Sequence, residues 1–172
     1  VTRLLPFQGS RGCPFQCTFC SEPALTATYR MMKPELYVEQ VDALVRSYKL
    51  DFVTFYDEEF FVNAKWATDI ARRIGGRYRW WAQTRADDLL RVDLKEMDAY
   101  GLYAVAPGLE SGSDRILRWI KKRETVAQYL EANRRLAATQ IIPQYNFIIG
   151  FPGETEAEVD ETVDLALRLM ED

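Results

Sequence analysis

Strand-like and helical segments alternate along the 172 residues of this chain, and this order predicts an α/β fold with a parallel sheet. Five short runs are rich in β-branched and aromatic residues, and the segments between them have the apolar spacing of amphipathic helices. Parallel neighbours need a crossover, which the helices provide. An incomplete (βα) barrel and an open doubly wound sheet both fit this pattern. In either fold, ligands bind at the carboxyl ends of the strands.

Each predicted strand is a short apolar run bounded by turn residues. The first ends in Gln8-Gly9-Ser10 and leads into a loop that contains cysteines. The fourth is predicted to break at Pro107 and Gly108, because proline and glycine weaken a strand. Trp80 and Trp81 point to opposite faces of the third predicted strand. We therefore expect one of them in the core and the other facing the barrel interior and a substrate. The predicted strands are residues 4–7, 52–56, 78–83, 102–106 and 141–149.

Residues that cap helices stand before the segments with helical spacing. Asn63, Thr125 and Thr155 are predicted N-caps, and the two threonines are followed three residues later by glutamine or glutamate, which completes a capping box. Pro34 and Asp93 begin two further helical segments. The apolar positions of the predicted helices are Tyr37, Val41, Leu44, Val45 and Tyr48; Trp66, Ile70, Ala71 and Ile74; Leu94 and Met97; Val126, Tyr129, Leu130 and Leu136; and Val159, Val163, Ala166, Leu167 and Met170.

All three cysteines lie in the loop after the first strand, at Cys13, Cys17 and Cys20, with the spacing CxxxCxxC. Thiolates are soft ligands that suit iron–sulfur clusters and zinc. The sequence contains no histidine to supply a fourth soft ligand, so a metal site here keeps one open position, as catalytic metal sites do. Three alternatives remain open: a disulfide with one odd thiol, a zinc site completed by Glu22 or water, and free core cysteines.

The remaining distinctive residues follow the other strands. Because the carboxyl ends of parallel strands meet at one edge, we expect these residues to converge with the cysteines. The sequence therefore predicts a single site there. The residues concerned are 57–59, Arg85, 110–112 and 150–153.

The cysteine spacing, with Phe19 just before the last cysteine, resembles the cluster loop of the radical S-adenosylmethionine (radical SAM) enzymes. The resemblance implies a partial TIM-type open barrel, (βα)5-6, with parallel strands and the cluster loop after the first strand. It also implies a [4Fe-4S] cluster whose open iron chelates S-adenosyl-L-methionine (SAM) and whose electron cleaves SAM to methionine and a 5′-deoxyadenosyl radical. Residues 1–172 would then be a radical SAM core domain without its flanking domains and last βα unit.

Two turns resemble family segments that hold the methionine part of SAM. Asp57, Glu58 and Glu59, followed by Phe60, resemble an Asp-Asp-x-Phe variant of the motif that meets the SAM amino group. Adjacent carboxylates repel each other, which an ammonium partner relieves. Arg85 is expected to pair with the SAM carboxylate, because a guanidinium matches a carboxylate bidentately. The alternatives are an acidic loop in water and a surface salt bridge.

Two other turns resemble family segments that hold the adenosine part. Glu110 and Ser111 lie in a Gly-x-Glu-Ser-Gly segment that resembles the ribose motif, and a carboxylate can accept hydrogen bonds from two vicinal hydroxyls. Asn146, Ile148 and Gly150 lie in a segment that resembles the fifth-strand motif that packs on adenine, with Asn146 in place of the family's leading glycine. A Glu110 ion pair with Arg115 or Arg118, and ordinary strand packing, are the alternatives.

Composition limits the partners. The formal net charge is −4, which argues against general polyanion binding, so nucleic acid is a disfavoured partner. No apolar run approaches the roughly 20 residues that span a bilayer, so we expect no membrane partner and a cytoplasmic location. Arg115, Arg118 and Lys122 are expected to form a solvated basic stripe on one helix face. The remaining partners are a small-molecule substrate and, from the resemblance, an electron donor such as a flavodoxin or a ferredoxin.

Within the family, the turn motifs most resemble those of the cobalamin-dependent branch. That branch includes methyltransferases and the anaerobic magnesium-protoporphyrin cyclase, so the resemblance implies methyl transfer or ring formation, with cobalamin bound by a domain that this chain lacks. The methylthiotransferase branch, which modifies tRNA or a ribosomal protein, is the second interpretation. A binding module in which a zinc or iron–sulfur site serves only structure is the third.

Overall fold

The computed structural model describes residues 2–26 and 28–171. Val1 and Asp172, the ends of the expected core domain, lie outside the described residues. The elements in chain order are β1 (Leu4–Phe7), β2 (Ser10–Arg11), α1 (Glu22–Leu25), β3 (Arg30–Met31), α2 (Pro34–Tyr48), β4 (Phe52–Phe55), α3 (Ala64–Ile74), β5 (Arg79–Thr84), α4 (Ala86–Leu89), α5 (Leu94–Ala99), β6 (Leu102–Glu110), α6 (Asp114–Trp119), α7 (Val126–Leu136), β7 (Ile142–Pro143), β8 (Asn146–Phe147) and α8 (Glu156–Glu171).

The main sheet is parallel, and its strand order follows the chain. β1 pairs with β4, β4 with β5, and β5 with β6, while β7 and β8 both lie along the far edge of β6. A doubly wound sheet would reverse direction at a switch point, and this one does not. The fold is therefore the α/β, partial TIM-type open barrel that the sequence predicts, and the doubly wound alternative is wrong.

The last two predicted strands differ from expectation. The fourth does not break at Pro107 and Gly108, because β6 continues to Glu110 with Pro107 paired to Thr84 and Gly108 paired to Asn146. Proline removes only one donor, and neighbours on both sides support the strand near its end. The predicted fifth strand at 141–149 is two short strands, β7 and β8, with a register shift against β6.

Four short elements escaped the sequence analysis. β2 and β3 form a two-stranded antiparallel sheet on either side of the cysteine loop. The helices α1 and α4 are only four residues long, so neither shows a recognisable apolar period. These elements matter because β2 and α1 bound the loop that carries the cysteines.

Two apolar clusters fill the space between the sheet and the helices. The first joins α2, α3 and α5 to one face of the sheet, with Phe55, Phe60 and Trp80 fully buried. The second joins α6, α7 and α8 around Leu109 and Tyr129. Burying large aromatic side chains supplies much of the free energy of folding. Trp80 lies in the core as predicted. Trp81, on the other face of β5, donates to Gln144 at 2.8 Å, and its contact with a substrate stays a prediction.

The predicted caps form, but the last helix packs through other positions than its apolar ones, and the predicted basic stripe is absent. The Asn63 and Thr125 caps are present, and Thr125 with Gln128 makes the capping box. The last helix packs through Thr162, Leu165 and Leu169, whereas the predicted apolar positions Val163, Leu167 and Met170 are exposed. The predicted basic stripe does not exist as such: α6 ends at Trp119, Lys122 is buried beyond it, and Arg115 is ion-paired with Glu158.

A buried carboxylate joins the ends of β1 and β4. Asp57, which is 0% exposed, accepts hydrogen bonds from the Gly9 N–H at 3.1 Å, the Ser10 N–H, and the Tyr37 hydroxyl at 2.8 Å. Burial raises the pKa of Asp57, and the bonds from Ser10 and Tyr37 oppose that rise. This carboxylate therefore fixes the chain where it enters the cysteine loop.

None of the helices within residues 2–26 and 28–171 combines the length and the apolar character that crossing a bilayer requires.

Removing the Tyr37 hydroxyl tests this junction. We expect Tyr37→Phe to lower the free energy of unfolding by roughly 1–3 kcal/mol, because Asp57 loses a donor in a site that water does not reach. Tyr48→Phe, on the same helix but 59% exposed, is the matched control, and we expect it to change stability by less than about 0.5 kcal/mol. Urea denaturation measures both. Equal effects of the two substitutions would contradict the assignment.

Candidate functional site

The cysteine loop is fixed by Gly12 and by a contact with the turn that follows α6. Gly12 has a φ of +85°, and a Cβ there would lie 2.7 Å from the Thr28 carbonyl oxygen, so glycine is needed just before the first cysteine. The Thr18 N–H donates to the Ile120 carbonyl at 2.9 Å. The loop therefore rests against the turn that follows α6.

All three cysteines line one cavity of about 320 Å³. Cys13 and Cys17 are half-buried, Cys20 is exposed, and all three are free thiols. Of the other residues that the sequence assigns to the site, the structure brings Phe19, Glu58, Glu59, Arg85, Glu110 and Asn146 to the same cavity. The remaining lining residues are Phe15, Gln83, Thr84, Ala106, Gly108 and Lys122.

The cavity environment keeps the two half-buried thiols protonated in the metal-free protein. Burial raises the pKa of Cys13 to about 11, and the charges of Glu59 and the other two cysteines add to the rise. Burial also raises the pKa of Cys17, although Lys122 and Arg85 oppose it. Because a metal binds the thiolate, metal binding here would have to release protons.

The three thiols suit an iron–sulfur cluster by donor type and number. In the described part of the chain, no three Cys, His, Asp or Glu side chains converge closely enough to hold one metal ion. A zinc ion would need its ligands about 2.0–2.3 Å away around one centre. A cubane cluster takes each thiolate on a different iron, and the three cysteines line one cavity.

The acidic turn after β4 divides between the core and the cavity. The structure places Asp57 away from the cavity, where its carboxylate is occupied by Gly9, Ser10 and Tyr37. Glu58 lines the cavity edge and accepts from Gln8 at 2.8 Å. The three acids thus do not act as one group. Asp57 continues the buried face of Val53 and Phe55, so the two-residue period of β4 was the available signal for its position.

Glu59 is a buried acid at the cavity wall. Glu59 is only 3% exposed. Within the described residues, its Oε1 atom has no hydrogen-bond partner. Burial raises the pKa of Glu59 to about 8, although hydrogen bonds from the Arg85 backbone and the Thr84 side chain lower it. Buried polar atoms in native proteins normally have partners, so an unpaired one facing a cavity indicates room for a ligand donor.

Arg85 is buried rather than on the surface, and most of its donors are used. Its guanidinium lies 2.9 Å from Asp87 and 3.4 Å from Glu124, donates to the Lys122 carbonyl at 2.7 Å, and stacks 3.9 Å from the Phe15 ring centroid. The surface salt bridge weighed as an alternative is therefore wrong. In the part of the chain that the structure covers, only its Nη1 atom is buried without a partner.

Glu110 forms a buried ion pair that the sequence did not predict. Lys122 Nζ lies 3.0 Å from Glu110 Oε1 and 3.6 Å from Glu124, and both Lys122 and Glu110 are buried. The expected alternative partners, Arg115 and Arg118, are not the ones used. Burial lowers the pKa of Lys122, but the two carboxylates outweigh it and the net shift is upward, so the lysine stays charged.

The backbone around Glu110 is specialised for this pair. Glu110 has a φ of +66°, a left-handed conformation that costs a non-glycine residue about 1–3 kcal/mol. A Cβ at Gly108 would lie 2.5 Å from Glu110 Oε1 and 3.2 Å from Lys122 Nζ. The absence of a side chain at Gly108 therefore leaves space for the ion pair. The strand β6 continues through this glycine.

Besides Asp57, three predicted site residues lie away from the cavity. Ser111 is 0% exposed, and its hydroxyl contacts Thr162 Oγ1 at 3.3 Å. Ile148 packs against the second apolar cluster, and the Gly150 N–H donates to Glu154 at 2.6 Å. Adenine contacts by Ile148 and Gly150 therefore stay predictions, and the structure gives Ser111 a packing role.

Sequence reasoning missed Phe15, Lys122 and Glu124. Phe15 lies between Cys13 and Cys17 and was treated only as part of the cysteine motif. An aromatic residue between two cysteines was the available signal for a residue of the cavity wall. Lys122 was assigned to a helix that ends three residues earlier. Glu124 stands just before the Thr125 cap, where its side chain turns inward to accept the Asp87 N–H at 2.8 Å. A lysine and a glutamate flanking a turn before a capping box were the available signal.

Comparison with known proteins identifies the family. A model described as the Radical SAM superfamily matches residues 7–166. An uncharacterized methyltransferase of Pyrococcus horikoshii is 35% identical over 93% of this chain and 36% of its own length. An anaerobic magnesium-protoporphyrin IX monomethyl ester cyclase of Cereibacter sphaeroides is 32% identical over 91% of this chain and 27% of its own. A tRNA-2-methylthio-N(6)-dimethylallyladenosine synthase of Clostridium beijerinckii is 31% identical over 94% and 38%.

Solved structures share the fold. The radical SAM methyltransferase TsrM of Kitasatospora setae, with tryptophan substrate and a SAM analogue bound, superposes with a TM-score of 0.83 at 20% identity, covering 97% of this chain and 34% of TsrM. The cobalamin-dependent SAM radical enzyme OxsB, with aqua-cobalamin bound, superposes with a TM-score of 0.82 at 23% identity. The match covers 93% of this chain and 26% of OxsB. This chain thus spans about a quarter to two fifths of the proteins it matches. Since the family model matches most of the chain, the chain belongs to the radical SAM superfamily.

Proposed function

We propose that the chain holds a [4Fe-4S] cluster through Cys13, Cys17 and Cys20 and binds SAM in the adjoining cavity. The observation that carries the proposal is that three free thiols and the unpaired Glu59 oxygen line one cavity of about 320 Å³. When bound, the cluster supplies the electron that cleaves SAM to methionine and a 5′-deoxyadenosyl radical.

The chain's own residues would then orient SAM. Glu59 has an unpaired oxygen for the SAM ammonium, and Glu58 adds negative charge at the cavity edge. Glu110, held by Lys122, would accept hydrogen bonds from the ribose hydroxyls. The unpaired Nη1 of Arg85 is the donor left for the SAM carboxylate. Phe19 and Asn146 would complete the walls, and the enclosed site would keep water from the radical.

The overall reaction is proposed from the relatives. Similarity to a methyltransferase and to a magnesium-protoporphyrin cyclase supports methyl transfer or ring formation, and fold likeness to OxsB and TsrM is in keeping with a cobalamin-dependent reaction. Cobalamin would bind to a separate domain, outside residues 1–172. The second candidate is methylthiotransfer to tRNA, which the similarity to the Clostridium beijerinckii synthase favours.

Anaerobic cluster reconstitution tests the proposal. We expect about four iron and four sulfide ions per chain, and 5′-deoxyadenosine from SAM after reduction. Cys17→Ser should lose the cluster and the product, whereas Thr18→Ser, in the same loop, should keep both. About one zinc per chain without sulfide would contradict the proposal and support the structural module. Measuring methylated products alongside 5′-deoxyadenosine would separate the candidate reactions.

The ion pair at Glu110 predicts a loss of SAM affinity on substitution. We expect Glu110→Gln to raise the SAM dissociation constant roughly 10- to 100-fold, the equivalent of losing charge-assisted hydrogen bonds to the ribose. Lys122→Met should act similarly, because Glu110 loses the partner that fixes it. Equilibrium dialysis of the cluster-loaded protein measures the constant, with the exposed Glu39→Gln as control. Unchanged binding in both variants would remove Glu110 from the site.

Glu59 predicts a pH dependence of stability. Its folded pKa of about 8 lies above the ordinary value of 4.5, so the folded metal-free protein binds the proton more tightly than the unfolded chain. The free energy of unfolding should therefore fall as pH rises between these values, by up to about 1.4 kcal/mol per pH unit. Glu59→Gln should flatten the decline, and Glu39→Gln should not. Urea midpoints at about pH 5 and about pH 8 decide the matter; a slope that Glu59→Gln leaves unchanged refutes the assignment.

A further inference from the structure

A short cationic segment lies against the cysteine loop. Residues 118–123 read Arg-Trp-Ile-Lys-Lys-Arg in a chain whose net charge is −4. Arg118, Lys121 and Arg123 are exposed, whereas Lys122 is buried in the cavity wall. Throughout the described residues, no ion pair involves any of these three exposed side chains, although several other arginines are paired. We call Arg118, Lys121 and Arg123 the basic rim.

The basic rim adjoins an apolar groove. The groove has a volume of about 610 Å³, and Lys121 of the rim is one of its lining residues. Trp119 is 49% exposed at the groove, and Phe19 is 41% exposed. Phe19 also packs edge-on against Phe151, with ring centroids 5.8 Å apart. Aromatic side chains at the centre with charged side chains around them are the pattern of a protein-binding surface. The groove residues are Thr18, Phe19, Trp119, Ile120, Lys121, Phe151 and Pro152.

This groove shares a wall with the cysteine cavity. Phe19 lines both of them. The Thr18 N–H donates to the Ile120 carbonyl at 2.9 Å, and Cys17 Sγ lies 3.9 Å from the Lys121 carbonyl oxygen. A molecule in the groove would therefore contact Thr18, the residue next to Cys17, and the ring of Phe19 would lie between that molecule and the cysteine cavity.

The backbone of this turn holds the cations outward. Lys121 and Arg123 have φ values of +57° and +58°, a left-handed conformation that is unfavourable for residues other than glycine. The result is that residues 121 and 123 are exposed while Lys122 between them is buried. Strained backbone at non-glycine positions clusters at functional sites, because ordinary turns use glycine or asparagine instead.

We propose that the groove and the basic rim form the docking surface for an acidic one-electron carrier protein. This inference rests on the proposed function. The carrier gives up one electron and the cluster gains it, and no proton or other group is exchanged. Unpaired cations beside a small apolar groove suit a transient, electrostatically steered complex, whereas a permanent interface is larger and more apolar. Three rim cations are few for an RNA surface, which gains affinity by neutralising many phosphates.

Stopped-flow reduction of the cluster-loaded chain by a reduced flavodoxin tests the surface. Replacing Arg118, Lys121 and Arg123 by glutamine should lower the second-order rate constant roughly tenfold or more at low salt, because steering charges set the encounter rate. Replacing the exposed Arg46, Lys65 and Arg168 removes the same charge elsewhere and should leave the rate nearly unchanged. Reduction by methyl viologen, a small cation, should be equal in all three proteins.

Carbodiimide cross-linking supplies a readout that does not depend on turnover. We expect the Lys121 amine to couple to carboxylates of the flavodoxin, as mapped by peptide mass spectrometry, and Trp119→Ala to weaken the coupling without any change of charge. Cross-links that map to Lys33, Lys65 or Lys95 instead would overturn the proposal. Displacement of the flavodoxin by tRNA bound at the same rim would also overturn it.

The two proposals fail in different ways. If methyl viologen supports 5′-deoxyadenosine formation but the rim substitutions do not slow flavodoxin, the docking surface is wrong and the proposed function stands. If neither reductant yields 5′-deoxyadenosine from SAM, the proposed function itself is wrong.

Discussion

The Asp57 carboxylate is the interaction on which the site geometry depends. It sits at the end of β4 and accepts from Gly9, Ser10 and Tyr37, so it joins two parallel strands and a helix at the point where the cysteine loop begins. Burying a carboxylate is unfavourable unless donors surround it, and here several do. The loop thus starts from a fixed anchor, and Gly12 then turns it toward the cavity.

A second constraint is the set of charges buried behind the cavity. Arg85, Lys122, Glu110 and Glu124 are each buried, and they contact one another in a chain of ion pairs. Taking such charges out of water costs several kcal/mol per ion unless their partners are well placed. Two cations face two of these acids, whereas Glu59, at the cavity wall beside them, has one oxygen without a hydrogen-bond partner among the described residues. A hydrogen-bond donor on a ligand would satisfy that oxygen.

The sequence was sufficient for what depends on periodicity and order. Strand and helix alternation gave the parallel sheet, and the rule for strand ends brought the cysteines, Glu59, Arg85 and Glu110 to one cavity. The rule for strand ends alone was insufficient for side-chain direction. Asp57 and Ser111 follow strands as the others do, but Asp57 continues the buried face of Val53 and Phe55, and the Ser111 hydroxyl contacts Thr162. Lys122 was misplaced because the helical period gives no warning that α6 stops at Trp119.

The turn after α6 shows how one run of cations can serve two purposes. Successive residues in a helix lie at steps of about 100° around the axis, but α6 ends at Trp119, before residues 121–123. Left-handed backbone at 121 and 123 replaces that spiral by an alternation, so Lys122 enters the cavity wall while its neighbours stay in solvent. The buried lysine fixes Glu110 inside, and the exposed pair charges the surface beside Cys17.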